Sequence, residues 1–206
     1  MYSRPIRQVI FYLVSAFALI SFVACAPRTY MIVDYPVPAA TNLLQGQKVR
    51  LQIQDARTDT LLFTPAAAQQ FEYFRERYSL SWVDANKQRV FAGDKDLPGL
   101  FYEVIKKRLE QLGAQVVAAD EDTAPSMVVS IRKLKVDLRD YKWVANAAYE
   151  ATLSHNNNVA REAVSGEAER VRIIGRKGAD NTLSDIFGEM INRLNILKLF
   201  QNAKAM

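Results

Sequence analysis

Apolar and polar residues alternate without a break from Lys48 to Gln54. Val49, Leu51 and Ile53 fall on one side, and Lys48, Arg50, Gln52 and Gln54 on the other. A period of two is the pattern of a half-buried strand. The same period runs through Trp143, Ala145, Ala147, Tyr149, Ala151 and Leu153. Between Met127 and Arg139 it changes phase: Val129 and Ile131 hold odd positions, while Leu134, Val136 and Leu138 hold even ones. A slip of one residue turns every later side chain to the other face, so the pattern predicts a bulge near Arg132 and Lys133. A last strand is expected from Val159 to Ile174, after a turn at His155–Asn158, because Asn tolerates the left-handed backbone. Short connections make these three strands an antiparallel meander.

Helical spacing appears elsewhere. Leu97, Leu100, Phe101, Val104, Ile105, Leu109 and Leu112 form one stripe, with Asp96 before it and Gly113 after it as the two caps. Leu183, Ile186, Phe187, Met190, Ile191, Leu194 and Leu197 form another, which predicts a closing helix over about Thr182–Phe200. Thr64 and Pro65 suit a helix start, with the helix expected to run to about Tyr78. Ser81–Val83 and Arg89–Phe91 predict a short hairpin around Ala85 and Asn86, and Gln115–Ala118 a short strand. The expected fold is α+β: a two-layer sandwich of a mainly antiparallel sheet with amphipathic helices on one face.

The N-terminus changes the picture. Arg4 and Arg7 precede an apolar run from Val9 to Val23, and Ala24 then leads into Cys25, the sole cysteine of 206 residues. A basic start, an apolar core and a small residue before a cysteine form a lipoprotein signal. The run is shorter than the roughly 20 residues that span a bilayer. Residues 1–24 are therefore expected to be removed and Cys25 to carry lipid, palmitate among its chains. An uncleaved anchor and an ordinary secretory signal are the alternatives. The two arginines place the N-terminus in the cytoplasm and the rest of the chain outside it. Pro27, Pro36 and Pro38 make residues 25–46 a lipidated cysteine and tether, within which the apolar patch Tyr30–Val33 is expected to pack on the domain or pair with a strand edge, leaving 47–206 as a single periplasmic domain. One cysteine at the signal leaves that domain without a disulfide. The formal charge of +5 falls to +3 on the side chains once residues 1–24 are removed, which gives no reason to expect nucleic acid.

Candidate chemistry is sparse. His155 is the only histidine and its neighbours place it in a polar turn, whereas a catalytic triad or a metal site would need it held in a pocket with partners. No phosphate-binding glycine loop, nucleophile elbow or metal-ligand spacing is present. The expectation is no catalytic residue, no metal and no cofactor. Asp55, Arg57 and Asp59 follow the first strand as a possible polar motif, most simply a salt-bridged turn. Asp120, Glu121 and Asp122 form an acidic loop. Trp82 and Trp143 read as core or edge aromatics. Lys133, Lys135 and Arg139 share one face of their strand, opposite Leu134, Val136 and Leu138, as either a solvated face or a basic patch for an anionic partner.

Taken in order, these features resemble the YajG-like family of bacterial lipoproteins. The likeness lies in the lipidated cysteine and Pro-containing tether, the strand running into Asp55, Arg57 and Asp59, the Leu-rich helix ending at Gly113, and the meander with its closing helix. The segment Thr60–Lys95 exceeds the family pattern. The resemblance implies a location and a fold and no reaction. Ala26 follows the cysteine; by resemblance to proteobacterial lipoproteins, where Asp in that place retains the protein in the inner membrane, it implies the periplasmic face of the outer membrane. Two functions follow as expectations. One is a non-catalytic envelope lipoprotein that binds or positions a protein partner. The other is an accessory lipoprotein that takes lipid, lipopolysaccharide or peptidoglycan. A packed core with an open sheet edge would favour the first, and a cavity between helices and sheet the second.

Overall fold

The structure is a computed structural model that describes residues 29–121, 123–172 and 177–205. The signal, Cys25, Ala26, Asp122 and Ile174 lie outside the described residues. Eight strands appear among the described residues: β1 Tyr30–Pro36, β2 Lys48–Asp55, β3 Arg77–Val83, β4 Arg89–Lys95, β5 Gln115–Val117, β6 Ser126–Arg139, β7 Lys142–His155 and β8 Asn158–Val171. The helices are α1 Pro65–Ala68, α2 Leu97–Gln111, α3 Lys177–Arg193 and α4 Ile196–Asn202.

The fold is α+β, but with two mixed sheets in place of the single one expected. The larger has the order β5-β2-β6-β7-β8, and the smaller β1-β3-β4. The meander β6-β7-β8 and the hairpin β3-β4 are antiparallel, whereas β2 runs parallel to both β5 and β6, and β1 parallel to β3. The expected bulge is present: Ile131 faces Tyr149 and Lys133 faces Ala148, which leaves Arg132 outside the register. Leu134 and Val136 are thereby returned to the buried face that Val129 and Ile131 occupy before it.

Helix α2 follows its pattern. The Asp96 side chain accepts from the Gly99 N–H at 2.9 Å, and Gly113 ends the helix at φ +89°. Its apolar stripe packs on β2 and β5, while α3 packs on β7 and β8. Gly166 lies under α3 because an added Cβ would approach Ile186 Cδ1 to 3.2 Å. Phe101 joins the layers, with its ring 4.8 Å from Phe187 and 5.8 Å from Tyr149.

Four expectations need correction. Residues 30–36, assigned to the tether, form β1, in which Met31, Val33 and Tyr35 are fully buried. The apolar patch Tyr30–Val33 does pair with a strand, β3, but its four consecutive apolar residues show no period of two and the prolines around it read as a spacer. The helix expected over Thr64–Tyr78 stops at Ala68. Thr64 makes no side-chain cap; its hydroxyl donates to Asp137 on β6 instead. From Arg77 the chain turns to strand, since Tyr78 and Leu80 are buried with a period of two. The closing helix is broken: α3 ends at Arg193 and Asn195 caps α4, its side chain accepting from the Lys198 N–H at 3.0 Å. A capping Asn inside an apolar stripe offers the backbone an alternative to the continuous helix.

The small sheet is held by α3. Along β1 the Ile32 N–H donates to Asp180 Oδ1 at 2.9 Å and the Asp34 N–H to Ser184 Oγ at 3.0 Å. The Tyr35 hydroxyl donates to Asn192 at 2.8 Å, and Gly188 lets the helix approach Pro36, which an added Cβ would meet at 3.0 Å. Residues 180, 184, 188 and 192 recur every four positions, so one helix face covers the outer edge of β1.

Candidate functional site

The polar motif after β2 splits in two. Arg57 turns back on Asp55 as a fork, with Nε 2.9 Å from Oδ1 and Nη2 2.8 Å from Oδ2, and its own N–H reaches Oδ1 at 3.2 Å. Paired N–H···O bonds of this kind are the strong, directional form of an arginine–carboxylate contact. The Arg57 side chain is only 6% exposed. Tyr78 is buried beside it, and burial pushes that phenol's pKa up. The pair opens on a cleft of about 360 Å³ lined also by Arg75, Glu76 and Pro98. Asp59 lies elsewhere: it pairs with Lys135 Nζ at 2.5 Å and accepts from the Leu61 N–H at 3.1 Å.

The Arg57 guanidinium holds the Asp55 carboxyl below its usual range. A carboxylate kept ionised in this way is a poor proton acceptor near neutral pH, so the geometry serves the fold better than acid–base chemistry. The sign of the linkage is definite. A group whose folded pKa is depressed adds stability above its unfolded pKa of about 3.9 and loses it as pH falls through the folded value. Asp55→Asn should therefore flatten the fall of the urea midpoint below about pH 4 while leaving its pH dependence near neutrality unchanged. An unchanged acid limb would count against the pair.

The three basic residues of β6 do share a face, but Asp137 shares it with them, a residue the sequence reading passed over. Asp137 pairs with Arg139 at 2.5 Å and accepts from Thr64. Lys135 is taken up by Asp59. The structure thus brings Lys135 and Arg139 into internal pairs and does not assemble a free basic patch from them and Lys133. His155 stays at the β7–β8 turn, its ring 3.1 Å from the Lys204 carbonyl and 3.2 Å from the Asn156 side chain, so it ties the turn to the C-terminal segment. Glu121 of the acidic loop pairs with Lys48. Trp143 is a core residue, and Trp82 is half-buried with its ring edge toward Tyr35. No group of three or more His, Cys, Asp or Glu able to hold a metal occurs among the described residues. No helix among them is long and apolar enough to cross a membrane.

Two surfaces stand out that the sequence did not announce. The first is the edge strand β4. Its partner across the sheet, β1, is covered by α3, whereas β4 ends the sheet order with Val90 62% and Phe91 65% exposed. The second is a cleft of about 710 Å³ between the small sheet and α3. Four of its charges are paired: Arg89 with Asp34, and Arg170 with Asp185 by two bonds.

No family model matches the chain, so the likeness to YajG-like lipoproteins rests on its own residues. No curated protein matches it. Among solved structures, a Xanthomonas campestris protein is similar at 9% identity and a TM-score of 0.47, over 84% of this chain and 97% of the other. A hypothetical Chlamydia trachomatis protein is similar at 10% and 0.43, over 78% and 99%. A Neisseria meningitidis lipoprotein is similar at 11% and 0.26, over 72% and 99%. At such low identity and TM-score, nothing of function passes from them to this chain.

Proposed function

We propose that this chain is a non-catalytic cell-envelope lipoprotein, anchored through lipid on Cys25 at the periplasmic face of the outer membrane, whose domain docks a protein partner along β4. The open β4 edge is the observation that favours a protein partner. A terminal strand with two large exposed apolar side chains offers backbone hydrogen bonds and side-chain contacts to an incoming strand. The second reading, an accessory protein for an envelope ligand, has less support. In the cleft between the small sheet and α3, Arg89 is taken up by Asp34 and Arg170 by Asp185, which leaves less charge free to bind an anionic headgroup.

Two measurements test this. Cys25→Ser should abolish incorporation of a palmitate analogue; label retained on the variant would end the lipoprotein reading. A photo-reactive residue at position 91 should cross-link in cells to one defined protein, and Val90→Asp with Ala92→Pro should remove that product. Equal cross-linking from position 159, at the start of β8, would end the assignment to β4.

A further inference from the structure

Tyr30 begins the first strand, and only residues 26–29 separate it from Cys25. Five peptide steps reach at most about 17 Å. The end of the domain where β1 starts is therefore held at the surface that holds Cys25.

Several elements meet at that end. Tyr30 pairs with Arg77, the first residue of β3, and the Arg75 N–H donates to the Thr29 carbonyl at 2.9 Å. The segment 61–76 crosses to β6, where Phe63 bridges Val136. Arg172, just after β8, donates from its N–H to the Tyr141 carbonyl at 2.7 Å and from its side chain to Gln70 at 3.1 Å. The exposed apolar side chains of this end are Tyr30, Leu61, Tyr73, Tyr141 and Val171. Behind Leu61 lies an open groove of about 270 Å³ floored by Phe63, Phe71 and Phe74.

Tyr141 is the sharpest of these. It sits at the tip of the β6–β7 hairpin, 81% exposed, at φ +60°, next to Asp140 at φ +46°. Two-residue turns of this kind prefer Asn and Gly, which accept a positive φ. The other turn of the meander uses Asn156 and Asn157 for it. A tyrosine pays that strain here without the packing that would explain it.

We infer that this end, with Tyr30, Leu61, Tyr73, Tyr141 and Val171, rests in the headgroup region of the bilayer that anchors the protein. The inference rests on lipidation of Cys25. Tyrosine suits a site that is apolar on one side and wet on the other, and rims of this kind mark membrane–water boundaries. Charge plays little part: Glu72, Glu76 and Asp140 are exposed beside Arg75 and Arg77. Contact should therefore come from side-chain insertion and persist at high salt. The β4 edge at Phe91 then points away from the membrane, because β4 reaches this end only at Lys95, opposite Tyr78.

The test uses the full lipidated chain in phosphatidylethanolamine–phosphatidylglycerol vesicles. Leu61→Cys, Tyr141→Cys and Phe91→Cys each carry a polarity-sensitive fluorophore, and spin-labelled lipids supply the quencher. Quenching at positions 61 and 141 should exceed that at 91 several-fold and survive added salt. Tyr141→Asn, combined with the probe at 61, should weaken quenching without lowering the melting temperature. Protein that floats with vesicles but shows equal quenching at all three positions overturns membrane contact and leaves the anchor standing. Protein that fails to float overturns the anchor itself.

Discussion

Replacing Trp143 by Ala is expected to lower stability by about 3–5 kcal/mol, the usual cost of emptying a buried aromatic site. Trp143 is fully buried at the start of β7, with Phe71 packed edge-on at a ring distance of 5.6 Å. The N-terminal turn of α3 lies on its other side, where a Cβ on Gly178 would come within 2.6 Å of Trp143 Cδ1. The indole therefore packs three pieces together: the meander, the segment 61–76, which a bridge between Phe63 and Val136 also ties to β6, and the start of α3. Against a typical total of roughly 5–15 kcal/mol, the loss is a large fraction. At about 2–4 °C per kcal/mol for a domain of this size, the midpoint should fall by about 6–20 °C. Gly178→Ala should act on the same contact from the opposite side, costing about 1–3 kcal/mol through overpacking. Circular dichroism melts of the two variants would measure both. A fall below 2 °C for Trp143→Ala would mean that the three pieces are held without the indole.

The places where sequence and structure part share a cause. Periodicity was legible wherever one element meets one face. β2, α2 and the meander were placed to within a few residues, and the bulge at Arg132 followed from a change of parity alone. What stayed hidden depends on contacts between distant segments. Met31, Val33 and Tyr35 stand two apart like Val49, Leu51 and Ile53, but Tyr30 and Ile32 beside them are apolar too and blur the period. Their partner strand β3 also lies more than forty residues on, beyond Thr64 and Pro65, which start a helix of only one turn. The second sheet could not be inferred without that pairing. The candidate site fared likewise. The Asp55–Arg57 fork is local and was expected, while the capture of Lys135 by Asp59 and of Thr64 by Asp137 joins β6 to the segment before α1. Asp137 itself was available to a reading that counted acids as well as bases on the face of β6. The exposed ends of β4 and of the β6–β7 hairpin carry no periodic signal, because exposure is set by what the rest of the chain leaves uncovered.

The contact between α3 and β1 should have the second large effect, because it decides how far the domain stands from its anchor. Asp180→Ala removes the acceptor of the Ile32 N–H, and an unsatisfied buried donor costs about 1–3 kcal/mol. Gly188→Val forces side-chain atoms into Pro36, costing a similar amount by overpacking. Both changes act on one edge of one strand, so their sum should be spent locally, on β1 leaving α3, before the five-stranded sheet is affected. Hydrogen exchange would show this as faster exchange of the amides of residues 30–36 in the double variant, with β6 and β7 still protected. Asp180→Asn keeps an oxygen acceptor and should lose much less. The consequence reaches beyond stability. While β1 is docked, the span from Cys25 to the domain is about 17 Å at most; once β1, loosened from α3, also leaves its seven-residue pairing with β3, residues 26–46 become a spacer able to reach about 70 Å. The double variant should then keep its lipid and its β4 cross-link while the probes at Leu61 and Tyr141 lose their quenching by lipid. Quenching that survives the release of β1 would mean that the apolar rim holds the domain to the bilayer without help from the short tether.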